Sequence, residues 1–165
     1  MNMIIDKKIL DELTERAKKS PRLRMNYDLR TSPDVQSQRM LNALEPGTVL
    51  PIHRHKETSE TVVCVRGHFE EYLYTENDNA NVNVNDNDNC SRVQEVQEVQ
   101  GVQEFKNPNG RLVLTEVVDM VPGGVVLNIP AGQWHSLKCL ESGTVLLEAK
   151  DGAFRPLDDD EDFQP

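Results

Sequence analysis

Two stretches decide the fold: GTVLPIHRHKETSETVVCVRG at residues 47–67 and GVVLNIPAGQWH at residues 124–135. In the first, His53 and His55 are two residues apart. Side chains two apart on a β-strand point to the same face, so a strand here would present both imidazoles together. If the chain turns after His55, Glu60 begins the neighbouring strand and offers a carboxylate to the same point.

The second stretch adds another ligand of the same kind, because His135 follows a predicted turn and faces the site from a different strand. Three neutral imidazoles and one carboxylate suit divalent Zn, Fe, Mn, Ni or Co, whereas Ca and Mg prefer all-oxygen ligands. We therefore predict that His53, His55, Glu60 and His135 bind one divalent transition metal ion. Zinc with four protein ligands could be coordinatively closed, whereas a six-coordinate metal would keep two open positions.

The rest of the chain indicates one domain over residues 1–165, with an N-terminal helix and many short strands. Apolar residues recur every fourth position and predict an amphipathic helix over residues 3–18. Residues 20–43 are polar and contain two prolines, so most of them are expected to be loop or irregular edge. Between residues 39 and 150, segments rich in Val, Leu, Ile, Tyr and Thr predict an antiparallel sandwich or barrel.

Two polar segments interrupt or follow the strands. Residues 76–107 contain ENDNANVNVNDNDN and VQEVQEVQGVQE, a low-complexity insertion that cannot bury enough apolar surface to offset its ordering entropy. We expect a mobile hairpin tip, and we expect shortening of residues 77–107 to a two-residue turn to leave the fold intact. The acidic tail, residues 151–165, contains DDDED and is predicted to be a solvated surface segment.

Composition excludes several classes of protein. A formal net charge of −10 at pH 7 disfavours nucleic acid as a partner. No apolar run approaches the roughly 20 residues that a membrane helix needs, and the N-terminus lacks the pattern of a signal peptide. Cys64, Cys90 and Cys139 follow no CxxC spacing and suit reduced thiols. We therefore expect a cytoplasmic protein with no membrane partner.

The spacing of the two stretches resembles the two cupin motifs, here Gly47-x5-His53-x-His55-x4-Glu60-x6-Gly67 and Gly124-x5-Pro130-x-Gly132-x2-His135. Cys139 stands where the second motif usually has Asn. The resemblance implies an all-β cupin double-stranded β-helix, a jelly-roll barrel, with one N-terminal α-helix and a homodimer as the assembly.

A closer resemblance is carried by SPRLRMNYDLR, SQRMLNALEPGTVLPIHRHKETSET, VLNIPAGQWHSL and GTVLLEAKDGAFRPLDDDEDF, and it covers nearly all of the chain except the insertion. These segments look like WbuC-type cupin fold metalloproteins. Members of that family are often associated with bacterial surface-polysaccharide gene clusters, and their reaction is not established. The resemblance implies a small-molecule ligand, such as a sugar derivative.

Several functions fit such a site. A Lewis-acid metal could support sugar isomerisation or epimerisation, and Fe(II) could activate oxygen. A non-catalytic metal-dependent binding or sensing module and a structural metal are the alternatives. Polar residues before the barrel suit the phosphates or carboxylates of a sugar ligand. The candidates are Arg22, Arg24, Asn26, Arg39 and Asn42, with Arg39 and Asn42 favoured because their strand would line the barrel. Trp134 could stack on a sugar ring, or pack in the core or an interface.

Overall fold

The structure is a computed structural model that describes residues 4–76, 104–107 and 110–163. The centre of the predicted insertion, residues 77–103, lies outside the described residues. At its edges the insertion is narrower than predicted, because Glu76 still belongs to a strand and residues 104–107 form another. Shortening the whole of residues 77–107 would therefore remove a strand, and a shorter deletion is the better test.

The N-terminal helix, α1 (Lys7–Lys19), confirms the predicted amphipathic helix but begins four residues later. The Asp6 side chain accepts a hydrogen bond from the Ile9 amide at 3.0 Å and so caps the first turn. Leu13 and Ala17 are buried on one face, against Leu41, Ala43 and Val145 of the barrel. The helix therefore covers the outside of the barrel and takes no part in the cavity.

The described chain continues as strands β1 (Arg24–Asp28), β2 (Ser37–Leu44), β3 (Ile52–His53), β4 (Glu60–Arg66), β5 (Phe69–Glu76), β6 (Glu104–Asn107), β7 (Gly110–Met120), β8 (Val126–Ile129), β9 (Trp134–Cys139), β10 (Thr144–Asp151) and β11 (Asp162–Phe163). They form a five-stranded sheet in the order β1-β2-β10-β4-β8 and a six-stranded sheet in the order β11-β3-β9-β5-β7-β6. Neighbouring strands are antiparallel in both sheets.

The apolar core draws residues from both sheets, among them Phe69 and Met120 of the six-stranded sheet and Val62 and Leu146 of the five-stranded one. Residues on the inner faces of two packed sheets interdigitate in this way in a sandwich or jelly roll. The free thiols of Cys64 and Cys139 are buried in the same core. This architecture confirms the predicted all-β cupin jelly roll with one N-terminal helix.

The segment before residue 39 was predicted as loop or irregular edge, and part of it, Arg24–Asp28, forms the regular edge strand β1. It pairs with β2 through five residues, from Arg24 opposite Leu44 to Asp28 opposite Met40. Met25 and Tyr27 pack against the cluster beneath α1, and this burial stabilises a strand that the polar composition of the segment conceals.

The acidic tail also differs from the prediction. Asp158, Asp159 and Asp160 are exposed as expected, but Glu161 is fully buried and Phe163 is buried. Both Oε atoms of Glu161 accept hydrogen bonds from Arg155, at 2.6 and 2.7 Å, and this pairing offsets the desolvation of the carboxylate. The end of the tail, β11, pairs with β3 and so becomes part of the six-stranded sheet.

A separate cluster covers the outer face of the six-stranded sheet. We call it the outer cluster; its buried members are Ile52, Tyr74, Leu112, Trp134 and Phe163. Because side chains alternate between the faces of a strand, the residues that follow Ile52 and Trp134 point to the inner face, where they line a cavity. Trp134 is thus followed by His135, and Ile52 by His53.

Candidate metal centre

Three histidines meet at one end of the barrel, with one ligand nitrogen from each lying within 4.8 Å of the others. His53 on β3 is directly opposite His135 on β9, and their ring centroids are 4.2 Å apart. His55 lies just beyond the end of β3, with its ring centroid 5.2 Å from that of His53. The prediction that these imidazoles converge is confirmed, although His55 is not on the strand that carries His53.

Glu60 reaches the histidines from the other sheet. It begins β4, which pairs with β8 and β10, so the prediction that β4 would pair with the strand of His53 is wrong. Its Oε1 atom lies 2.8 Å from Nε2 of His135, and its Oε2 atom lies 3.4 Å from Nε2 of His55. The carboxylate therefore lies beside two of the three histidines, but among the described residues the group of ligand atoms within 4.8 Å of one another contains only the histidines, so Glu60 as a fourth ligand stays a prediction.

The orientation of the imidazoles leaves ring nitrogens free for an ion. Nδ1 of His53 is 3.2 Å from the Pro51 carbonyl, and Nδ1 of His135 is 3.0 Å from the Gln133 carbonyl. A neutral imidazole that donates from Nδ1 presents the lone pair of Nε2, as metal-binding histidines do.

Two buried atoms at this point lack a hydrogen-bond partner, Nε2 of His135 and Oε2 of Glu60. The 2.8 Å approach of His135 to Glu60 does not have hydrogen-bond geometry. A proton or a cation between these groups would remove the cost of leaving them unpaired. The donor set, three nitrogens and a carboxylate, fits a divalent transition metal.

The charges of the ligands follow from burial and proximity. Burial, with the charge of His135, lowers the pKa of His53 to about 3, so this imidazole is neutral. Burial opposes ionisation of Glu60, but the neighbouring His135 and His55 outweigh it and lower the pKa of Glu60. Burial likewise opposes protonation of His135, yet the Glu60 carboxylate raises the pKa of His135 to about 9.

The C-terminal tail fixes the chain that carries His53 and His55. Glu161 accepts a hydrogen bond from the Arg54 amide on its carbonyl and one from the Lys56 amide on Oε1, both at 2.9 Å. The His55 carbonyl accepts from the Gly132 amide at 2.8 Å. The backbone around the two histidines is thereby held on both sides.

A cavity of about 340 Å³ opens from the three histidines to the surface. Its volume is in the range of small-molecule sites. Glu71, Glu148 and Lys150 line it, and sequence reasoning missed all three. Each interrupts an apolar strand at an inward-facing position, in HFEEYLYT and TVLLEAKD. That signal could have identified them, had the register of the strands been known.

These three residues have unusual environments. Burial raises the pKa of Glu71 to about 8, and its Oε2 atom has no hydrogen-bond partner. Burial and the charge of Glu60 raise the pKa of Glu148 to about 7. Burial lowers the pKa of Lys150, whose Nζ lies 3.2 Å from Nε2 of His55. The cavity therefore holds two carboxyl groups whose pKa values are raised and an ammonium group whose pKa is lowered.

Four of the five predicted polar candidates line the cavity, namely Arg22, Arg24, Asn26 and Asn42. The Asn42 side-chain amide donates to Oε2 of Glu148 at 3.1 Å. Arg24 and Asn26 are two residues apart on β1, and Asn42 of β2 is opposite Asn26, so the three side chains share the inner face.

Arg39 and Trp134 are not in the cavity, which corrects two predictions. Arg39 is exposed on the opposite face of β2, one residue out of phase with Met40 and Asn42. Trp134 is buried in the outer cluster, where its Nε1 donates to Glu76 at 2.8 Å. Its interpretation as a packing residue is confirmed, and stacking on a sugar in this cavity is wrong.

The fold and the histidine cluster together define a cupin-fold protein with a candidate metal centre. A family model described as a domain of unknown function, DUF6016, matches residues 5–85, slightly less than half of the chain. No curated protein matches the sequence. The closer resemblance to WbuC-type cupins stays a prediction.

No helix in the described part of the chain is long and apolar enough to cross a membrane.

Solved structures are similar in fold at low sequence identity. BH2720 of Bacillus halodurans is 13% identical, with 94% of this chain and 85% of that one covered and a TM-score of 0.52. KdgF of Halomonas sp. is 15% identical, with 82% and 84% covered and a TM-score of 0.49. A sugar phosphate isomerase from a cupin superfamily, from Silicibacter pomeroyi, is 18% identical, with 78% and 59% covered and a TM-score of 0.46.

Proposed function

We propose that this protein is a metal-dependent enzyme that isomerises or epimerises a sugar or nucleotide-sugar. The observation that carries the proposal is that two protonatable carboxyl groups, Glu71 and Glu148, line the same cavity as the three histidines. A metal alone would serve a binding protein equally well. Acid–base groups beside the metal site are what a reaction requires in addition.

The metal would be held by His53, His55 and His135 through nitrogen and by Glu60 through oxygen. When bound, a divalent metal supplies Lewis-acid polarisation of a carbonyl or enediolate oxygen. Zn, Fe, Mn and Ni all suit this ligand set. Because the imidazoles must be neutral to bind the ion, metal affinity should fall as the pH is lowered.

The proton chemistry would belong to the two carboxyl groups. Isomerisation and epimerisation move a proton from and to carbon, and a group with a pKa near the working pH serves best as acid and base. Glu148, with a pKa raised to about 7, is held by Asn42. Glu71, with a pKa raised to about 8, has a free carboxyl oxygen in the cavity.

The test is ¹H NMR of the metal-loaded protein in D₂O with a panel of aldoses, aldose 6-phosphates and keto nucleotide-sugars, all of which offer a carbonyl group. We expect deuterium to appear at the carbon next to the carbonyl for at least one compound. Glu71→Gln and Glu148→Gln should slow this exchange by about 10²-fold or more while keeping the metal, because general acid–base groups contribute about that much. Binding without exchange for any compound would favour a non-catalytic module.

We also propose, from the resemblance to WbuC-type cupins, that the substrate belongs to bacterial surface-polysaccharide metabolism and that the chain forms a homodimer. Consistent with pairing through a sheet edge, the edge strand β8 carries Val126, which is 64% exposed. Light scattering at micromolar concentration should give twice the mass of the chain. A monomer under those conditions would contradict the dimer.

A further inference from the structure

The mouth of the cavity carries two arginines without an acidic partner. Arg22 and Arg24 both line it, and neither forms an ion pair with any residue that the structure describes. Other arginines are paired, in Arg30–Asp28, Arg54–Glu76, Arg66–Asp11 and Arg155–Glu161. Arg16 and Arg39 also have no ion pair among the described residues, but they lie outside the cavity. In a chain with a net charge of −10, acidic partners are plentiful, so an unpaired pair of guanidinium groups at a cavity mouth calls for an explanation.

The Arg24 side chain is held by one hydrogen bond and has further N–H groups that could donate to a ligand. It is half-buried, and one of its five N–H groups donates to the Val49 carbonyl at 3.4 Å. Burial and the nearby charge of Arg22 both lower the pKa of Arg24, as expected for two cations held close together. An anion bound between them would relieve this repulsion and use the remaining donors.

The two arginines line the same cavity as the three histidines, but from β1 and the turn before it, whereas His53 and His135 lie on strands of the six-stranded sheet. Val49, which contacts Arg24, precedes His53 by four residues, so the two Cα atoms are at most about 14 Å apart in an extended chain. Along the inner face between them lie the amides of Asn26 and Asn42, which are opposite each other in the β1–β2 register. A ligand that reached both ends would thus pass hydroxyl-binding groups on the way.

We infer that Arg22 and Arg24 form a phosphate-binding subsite, so that the substrate is a phosphorylated sugar or nucleotide-sugar whose sugar end reaches the histidines. This inference rests on the proposed function for the sugar end only. Phosphate is favoured over carboxylate because a phosphate monoester carries about −1.5 to −2 charges at neutral pH and three acceptor oxygens. That charge matches two guanidinium groups, whereas a carboxylate brings a single charge and two oxygens.

The first experiment uses inorganic phosphate in the full chain carrying His53→Ala, so that a bound metal does not contribute. Isothermal titration calorimetry at low ionic strength should show that Arg22→Ala/Arg24→Ala binds phosphate at least tenfold more weakly. Arg39→Ala is the matched control, because this arginine lies on the other face of β2, and it should bind as the parent does. Equal phosphate affinity in the double variant and its parent would overturn the inference.

A second variant guards against loss of fold. Arg24→Lys keeps the charge but loses the planar fork, so it should recover part of the affinity while remaining weaker than arginine. Circular dichroism should be the same for all variants. If Arg24→Lys and Arg24→Ala both bind phosphate as tightly as the parent, the subsite is elsewhere.

The last experiment tests whether the subsite prefers phosphate or carboxylate. It also distinguishes a failure of this inference from a failure of the proposed function. Glucose 6-phosphate should lose at least tenfold in affinity in the double variant, and glucuronate should lose less. A larger loss for glucuronate would overturn the choice of phosphate. If the wild-type protein binds no metal, the proposed function fails, but arginine-dependent phosphate binding in the His53→Ala background would still support the subsite.

Discussion

The two faces of the six-stranded sheet differ in kind although they are built from adjacent residues. On the inner face, His53, His135 and Glu71 are ionisable and line the cavity. On the outer face, their neighbours Ile52 and Trp134 are buried in the outer cluster. Residues one position apart on a strand therefore have different roles: His53 and His135 could bind a metal, whereas Ile52 and Trp134 pack in the outer cluster. Stability and function are therefore expected to respond independently to substitutions at neighbouring positions.

The largest expected effect is on metal affinity. His135→Ala removes an imidazole whose Nδ1 is held by the Gln133 carbonyl and whose Nε2 faces Glu60. We expect Co(II), titrated as a spectroscopic probe, to bind at least 100-fold more weakly than in the wild type, because too few ligands remain. Trp134→Phe, altered one residue earlier, should leave Co(II) affinity within about threefold. Equal loss in both variants would show that the faces are not independent.

The next effect is on stability at the outer face. Trp134 is 7% exposed, packs against Phe163 and lies beneath the guanidinium group of Arg54, 4.4 Å from the ring centroid. Trp134→Ala should lower the free energy of unfolding by about 3 kcal/mol, as large-to-small changes of buried aromatic residues do. Urea denaturation measures this. The folded fraction should still bind one metal ion, and loss of metal from folded protein would count against the separation.

A smaller effect on both stability and metal affinity is expected in the C-terminal tail, where Glu161 contacts the backbone next to His55. Glu161→Gln replaces a buried carboxylate that accepts from Arg155 and from the Lys56 amide, next to His55. We expect the free energy of unfolding to fall by about 1–2 kcal/mol and metal affinity to fall about tenfold. Asp159→Asn, on the exposed part of the tail, is the matched control and should change neither quantity.

The effect of Glu161→Gln on the free energy of unfolding should depend on pH. Hydrogen bonds from Arg155 outweigh desolvation and lower the pKa of Glu161 in the folded protein. A carboxylate with a lowered pKa stabilises the fold above its unfolded-state pKa of about 4.3, and that contribution is lost as the pH falls. The difference in unfolding free energy between wild type and Glu161→Gln should therefore be full at pH 7 and shrink below about pH 4. A difference that grows on acidification would contradict the assignment.

The smallest expected effect is at Arg39. This residue is exposed on the outer face of β2, although its neighbours Met40 and Gln38 line the cavity. Arg39→Ala should change the unfolding free energy by less than about 0.5 kcal/mol, as exposed substitutions usually do. Metal and phosphate affinities, measured by calorimetry, should also be unchanged. A tenfold loss of phosphate affinity would mean that the register assigned to β2 is wrong.

The two motifs together predicted the convergence of His53, His55 and His135. The closeness of His53 and His55 follows from their spacing of two residues, whereas His135 reaches them through the pairing of β3 with β9. Arg39 and Glu60 were misplaced because the face and the partner of a strand depend on register, which distant pairing sets. Glu161 could not be placed from sequence, since its contact with Lys56 joins residues 105 apart in the chain. Glu71 was overlooked because a carboxyl group on a strand is usually exposed to solvent.

The most direct test of the central claim is elemental analysis of freshly purified wild-type protein beside His53→Ala, with no metal added. We expect close to one equivalent of Zn, Fe, Mn or Ni in the wild type and almost none in the variant, because one ligand nitrogen from each of the three histidines lies within 4.8 Å of the others. A wild-type protein without metal even after reconstitution, or a His53→Ala variant with as much metal as the wild type, would contradict the metal centre.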